Sequence, residues 1–132
     1  MISISTGVDL VEIDRFRFID QKILKRFLLR VFTTAELTDA SKNENHLAGK
    51  FAAKEAAAKA LGCGIGKVNW LDLEILNDPQ GRPILVLHEN ALSAAHEAGW
   101  TQWSISISHT KANAVAVVTA LVELPSPRQN VI

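Results

Sequence analysis

The stretch Leu47 to Leu61 constrains this chain more than any other. It reads Leu-Ala-Gly-Lys-Phe-Ala-Ala-Lys-Glu-Ala-Ala-Ala-Lys-Ala-Leu. Ala, Leu, Lys and Glu are strong helix formers, so propensity alone predicts a helix over 47–61. Gly62 follows at once and suits the left-handed position that ends a helix. Leu47, Phe51, Ala58 and Gly62 recur at helical spacing and share a face, and Glu55 falls on it between Phe51 and Ala58. A carboxylate on an inward stripe needs a cation, and Lys59, one turn on, stands in the favourable order for an ordinary helix pair. Two features point further. The small Ala side chains let another group approach the helix closely. Lys50, Lys54 and Lys59 carry more positive charge than Glu55 requires, which suits an anionic ligand.

With 132 residues the chain fits one domain with a real core. Hydrophobic residues make up 48% and charged residues 21%, ordinary for a globular protein. Net charge is zero, so no global field favours nucleic acid and any electrostatic function must lie in local patches. Cys63 is the single cysteine, which excludes a disulfide framework within the chain and fits a reducing compartment. It reads as a small residue in a glycine-rich turn. No basic segment leads into a long apolar run, so no signal peptide is expected, and no stretch is apolar and long enough to span a bilayer. A soluble cytoplasmic protein is the expectation.

Met1 to Leu10 alternates as a strand, with Ile2 and Ile4 against Ser3 and Ser5, and Gly7 permits close approach of a backbone or ligand. Asp9 falls where this strand should hand over to a helix, and either a helix N-cap or a metal carboxylate fits it. Val11 to about Val31 has helical spacing, as one piece or two. Between Arg15 and Arg30 stand Arg15, Arg17, Lys22, Lys25, Arg26 and Arg30, opposed only by Asp20. A solvated helix face is one reading, and a docking patch for an acidic partner the other. No aromatics interleave with these charges, which weakens a nucleic-acid reading. Thr33 or Thr34 caps a short helix to about Ala40, with Glu36 near its start. Ser41 to Asn45 is polar punctuation.

Gly62-Cys63-Gly64-Ile65-Gly66-Lys67 fails as a phosphate loop, because the spacing before Gly-Lys is wrong and Val68 follows instead of Ser or Thr. It follows a helix, so it also fails as a dinucleotide fingerprint, and it reads as a tight exit. Trp70–Leu76 and Pro83–Leu87 form a hairpin around Asn77-Asp78-Pro79-Gln80-Gly81. His88 to Ala98 is an amphipathic helix ended by Gly99. Trp103 to Ser108 is a strand, Asn113 to Leu121 a central apolar strand, and residues 122–132 a loose tail after a domain of residues 1–121. Ser108 and His109 are adjacent on a strand and point to opposite faces, which excludes a direct nucleophile–base pair. His46, His88, His96 and His109 lack metal-ligand spacing.

Several segments together resemble one family. Phe51-Ala-Ala-Lys54-Glu55-Ala-Ala-Ala-Lys59 is similar to the aromatic-x-x-Lys-Glu-Ala-x-x-Lys motif of the 4′-phosphopantetheinyl transferases, the short holo-acyl-carrier-protein synthase branch in particular. Gly7-x-Asp9-x-x-Glu12-x-x-Arg15, Phe32-Thr33-x-x-Glu36, the glycine loop with Cys63 in place of an expected Thr, and Ile105-Ser-Ile-Ser-His109-Thr110 resemble further segments of the family, in the same order. The resemblance runs from Gly7 to about Ala116. It implies an α+β fold, a small antiparallel sheet with helices packed on one side. It implies magnesium-dependent transfer of 4′-phosphopantetheine from coenzyme A to a serine of apo acyl carrier protein, releasing adenosine 3′,5′-bisphosphate, in support of fatty acid biosynthesis. Asp9 is thereby assigned to metal with Glu55. Asp9, Glu55 and Lys59 are the expected catalytic set, and Lys50, Lys54, Lys59, His109 and Thr110 the expected contacts to the coenzyme. Arg15, Lys22, Lys25 and Arg26 are the expected docking face for the acidic carrier. A homotrimer with shared sites is implied, with Asp9, Glu55 and Lys59 from one chain and His109 from the next. A non-catalytic adaptor with a basic helix and a different magnesium-dependent phosphotransferase are the competing readings.

Overall fold

The structure, a computed structural model, describes residues 1–40, 43–62 and 67–125. The chain runs β1 (Ile2–Glu12), α1 (Asp14–Arg17), α2 (Gln21–Val31), α3 (Thr34–Ala40), α4 (Glu44–Leu61), a 3-10 turn (Trp70–Asp72), β2 (Leu73–Asn77), β3 (Pro83–Leu87), α5 (Glu89–Glu97), β4 (Trp100–His109) and β5 (Asn113–Glu123). Three long strands form an antiparallel sheet in the order β1-β5-β4, and β2 and β3 pair as a separate hairpin. The hairpin is tied to β4 by the Trp103 indole, which donates to the Leu85 carbonyl at 2.9 Å. Helix α4 lies across one face of the sheet. The architecture is the α+β arrangement expected, and β5 is central as its nearly continuous apolar run required.

Small residues set how closely α4 seats. At Gly7 a Cβ would overlap the Ala56 carbonyl oxygen and lie 2.8 Å from the Ala60 nitrogen, so only glycine lets β1 pass under the helix. At the other end Gly49 seats against Ile107 of β4. The helix therefore crosses the sheet obliquely, its start over β4 and its end over β1. Ala48, Ala52, Ala53, Ala56 and Ala57 are fully buried along it. Phe16 and Phe27 meet Phe51 of this helix edge to face, Trp70 lies tilted against the same ring, and together they close the core on the other side.

Local capping explains where the helices start. Asp20, read from sequence only as the lone opposing charge, accepts from the Lys22 and Ile23 amides and divides the expected helix in two. Thr33 and Glu36 form a reciprocal capping box, Thr33 N donating to Glu36 Oε1 at 2.8 Å and Glu36 N to Thr33 Oγ1 at 3.1 Å. Asn43 caps α4, which starts three residues before the predicted Leu47. Gly62 ends it at φ +74°.

Strand boundaries differ from expectation too, and β4 begins at Trp100, ahead of the predicted Trp103. Strand β1 continues through Val11 and Glu12, so Asp9 lies inside a strand and is no N-cap. Trp70–Asp72 is a 3-10 turn in place of the start of a strand. Strand β5 continues through Glu123, because Ile2 and Ser3 pair with Glu123 and Val122, so residues 122 and 123, assigned to the tail, belong to the strand. Cys63 and its glycine loop, Ser41, and the tail from Ser126 lie outside the described residues.

Candidate active site

Asp9 and Glu55 meet at the edge of the sheet. Gly7, Asp9 and Val11 share the face of β1 that lies under α4, and the seating of Ala56 and Ala60 on Gly7 carries Glu55 to the Asp9 carboxylate. Asp9 lies close enough to Glu55 to act on its titration. Burial first, then the hydrogen bond and charge of Asp9, push Glu55 up to about 7, while Arg15 and Lys59 pull the other way. Glu55 Oε1 is buried and has no hydrogen-bond partner among the described residues. A pair of crowded carboxylates with an unused buried oxygen is a site shaped for a cation.

Lys59 does not pair with Glu55 as the helix spacing suggested. Its Nζ lies 2.8 Å from Asp9 Oδ1 and donates to the Val8 carbonyl at 3.1 Å. The hydrogen bond from Lys59 to Asp9 raises the lysine pKa. The side chain is 59% exposed, so the ammonium is held and still open to an incoming anion.

Lys54 is placed differently from expectation. Its side chain is fully buried and its Nζ lies 2.8 Å from Glu36 Oε1. It also donates to the carbonyls of Trp70 and Leu73, both at 2.8 Å. Burial lowers its pKa and Glu36 pulls it back up. The second Glu36 oxygen accepts from Ile75 N at 2.9 Å. Lys54 thus joins α3, α4 and β2 inside the core, and this placement speaks against the phosphate contact expected of it. The cause is tertiary: α4 is covered on nearly every side, so its lysines cannot all reach water. Glu36 was missed as its partner, although the capping box had fixed where that carboxylate would sit.

Lys50 takes an intermediate position. It is almost buried, and Nζ donates to the Ile75 carbonyl at 2.6 Å and to Asn77 Oδ1 at 3.3 Å. It lines a groove of about 350 Å³ with Asn45, His46, Gly49, Ile107 and His109. Asn45 Oδ1 is buried there without a partner among the described residues. Asn45 and His46 were not singled out from sequence, though His46 stands one turn before Lys50 on α4. Thr110 closes the β4–β5 turn, its Oγ1 accepting from Ala112 N and Asn113 N.

The two groups of residues lie on opposite edges of one chain. Asp9 is in register with Ala116, and Ala116 with Ile107, so β5 separates the carboxylates from the strand that carries His109. Two strand spacings amount to about 10 Å.

A third feature is a groove of about 790 Å³ between the short helices and α4. Its floor holds Phe16, Leu24, Leu28 and Leu47, and Arg17, Lys22 and Lys25 stand at its rim, with Glu44 as the one acidic member. Arg15, one residue from Phe16 on α1, lies close enough to Glu55 to influence it. Arg26 of α2 is exposed and does not line this groove.

Comparison with known proteins agrees with this geometry along the chain. Residues 5–118 match the profile of the 4′-phosphopantetheinyl transferase superfamily. The holo-[acyl-carrier-protein] synthase of Herpetosiphon aurantiacus is 42% identical over 123 residues, covering 88% of this chain and 97% of that protein. That of Alkaliphilus oremlandii is 47% identical over 120 residues, covering 87% and 96%. The crystal structure of the Helicobacter pylori synthase in complex with coenzyme A superposes with a TM-score of 0.79 at 32% identity, covering 87% of this chain and 98% of that one. The synthase of Bacillus anthracis, in complex with CoA (3′,5′-ADP), gives 0.73 at 35% identity, covering 93% and 100%. With the carboxylate pair and the lysine helix inside the matched residues 5–118, the chain belongs to the 4′-phosphopantetheinyl transferase superfamily.

Proposed function

We infer that this chain is a holo-[acyl-carrier-protein] synthase. It moves the 4′-phosphopantetheine arm of coenzyme A onto a serine of an apo acyl carrier protein. The serine hydroxyl gives up its proton to solvent as its oxygen bonds to phosphorus, the diphosphate P–O bond breaks, and adenosine 3′,5′-bisphosphate leaves. The observation that carries this reading is the Asp9–Glu55 pair with Lys59 beside it, in a chain that aligns with synthases over most of its length.

Two carboxylates, one with a buried unpartnered oxygen, fit magnesium, which takes one or two protein carboxylates and finds its other oxygens on water and substrate phosphate. Asp9 and Glu55 would hold it, and the ion supplies positive charge against the diphosphate. Lys59, on the open side of Asp9, adds a cation to a diphosphate oxygen and offsets charge on the leaving group. His109, His46 and Lys50 offer a polar groove for the nucleotide end. The rim lysines of the α2 groove face an acidic carrier, and its leucine floor takes apolar side chains.

A closed ring of three chains is supported by two observations. The face of the sheet away from α4 exposes Ile4, Val8, Leu10, Val117 and Leu121, a continuous apolar surface for a monomer to leave wet. The carboxylates and the His109 groove also lie on opposite edges, so head-to-tail contacts would set one chain's carboxylates beside the next chain's His109.

Incubation with coenzyme A, magnesium and apo acyl carrier protein, followed by intact mass, tests the reading. The carrier should gain one phosphopantetheine arm, and only with magnesium. An unmodified carrier that a known synthase does modify would refute it.

A further inference from the structure

Lys59 reaches back across a strand to an acceptor pair that is already built. Strand β1 is an edge strand, so carbonyls on its open side have no strand partner. Lys59 Nζ takes one of them, at Val8, together with Asp9 Oδ1. Among the described residues no third His, Cys, Asp or Glu joins Asp9 and Glu55 as a ligand cluster. The protein thus brings two carboxylates to a magnesium ion that wants about six oxygens, and an ammonium already sits 2.8 Å from one of them. An ion on that same oxygen, at about 2.1 Å, would face the ammonium across it, and the two cations repel. The conflict ends once the lysine has another anion to move to. Its long flexible stem and open flank permit that move, and a diphosphate provides the target.

Resting on the transfer reading, we propose that Lys59 is a latch: in the ligand-free protein its ammonium occupies Asp9, and magnesium enters the site as the coenzyme's diphosphate draws the ammonium away. The free enzyme then binds metal poorly. Coenzyme and metal each raise the affinity for the other by the same factor, as linkage requires. The metal reaches the site with its substrate and is released with the product.

Manganese binding followed by electron paramagnetic resonance, with Mn2+ as the probe, tests this without turnover. Wild-type protein alone should bind the ion weakly, and coenzyme A should tighten it. Lys59→Met should bind Mn2+ about tenfold more tightly than wild type in the absence of coenzyme, the scale of one close charge contact in a partly shielded site. Arg15→Met is the control, because it removes a charge near Glu55 without touching Asp9. Free-protein affinity that is unchanged or weaker in both Lys59→Met and Lys59→Gln would overturn the latch. An equal gain in Arg15→Met would also overturn it, as a general field effect. Failure of coenzyme A to bind wild type in calorimetry strikes the transfer reading instead, and the ligand-free manganese arm still decides the latch.

Discussion

Replacing Glu55 by Gln should make the protein more stable at pH 8 while abolishing its transfer activity. The carboxyl rises from 4.5 to about 7, chiefly by burial and by the neighbouring Asp9. Between those two values the unfolded chain has released the Glu55 proton and the folded chain still holds it. The unfolded state therefore binds fewer protons, and stability falls as pH climbs through this window. At about 1.4 kcal/mol for each tenfold change in proton affinity, the rise corresponds to about 3 kcal/mol. Glu55 is only partly buried, so solvent screening reduces the figure to about 1 kcal/mol. For a chain of this length that is roughly 3–5 °C in Tm. Glutamine keeps the shape and does not titrate. Thermal unfolding of both proteins without divalent metal should therefore show a small difference at pH 5 and a higher Tm for Glu55→Gln at pH 8. Magnesium added in the presence of coenzyme A should raise wild type further and leave the variant nearly unchanged. A variant less stable than wild type at pH 8, or a gap that does not widen between pH 5 and pH 8, would refute the reasoning.

Gly7→Ala should cost about 3 kcal/mol or more, because the new methyl overlaps the α4 backbone and forces the helix off β1; urea unfolding with an unshifted midpoint would contradict it. Lys54→Met alone should cost about 3–5 kcal/mol by leaving Glu36 buried and unpaired, and adding Glu36→Gln should recover part of that, which chemical denaturation can measure. Lys22→Glu or Lys25→Glu should raise KM for the carrier with little change for coenzyme A, and added salt should weaken carrier binding; a KM indifferent to both would remove the α2 groove as the docking face. Glu55→Gln and His109→Ala chains, each inactive, should regain activity when refolded together, since roughly a quarter of interfaces in a closed ring would then join both intact residues; mixed trimers without activity would place both residues in one chain's site.

Elements that depend on local physics could be read from the residues alone. Helix α4 follows from its Ala, Leu, Lys and Glu content and ends where Gly62 permits φ +74°. The capping box at Thr33 and Glu36 and the turn at Asn77–Gly81 are local hydrogen-bond chemistry, and both are where the residues put them. The apolar run of β5 specified a central strand, and alternation put Ile105, Ile107 and His109 on one face. Glu55 stood out as a carboxylate on an otherwise small-residue stripe, whereas its pairing with Asp9 was implied only by the family resemblance. Tertiary structure decided the rest. Periodicity describes one buried face, and α4 is buried on nearly all of its sides. Lys54 therefore went to a core ion pair with Glu36, a partner from another element. Lys59 left its helical neighbour for Asp9 because β1 brings an acceptor closer than the next turn does. Asp9 itself stayed in a strand because pairing with β5 outlasts the point where local signals suggested a helix. Which edge of the sheet each functional group occupies is set by where two glycines let α4 cross it, and no local preference encodes that crossing.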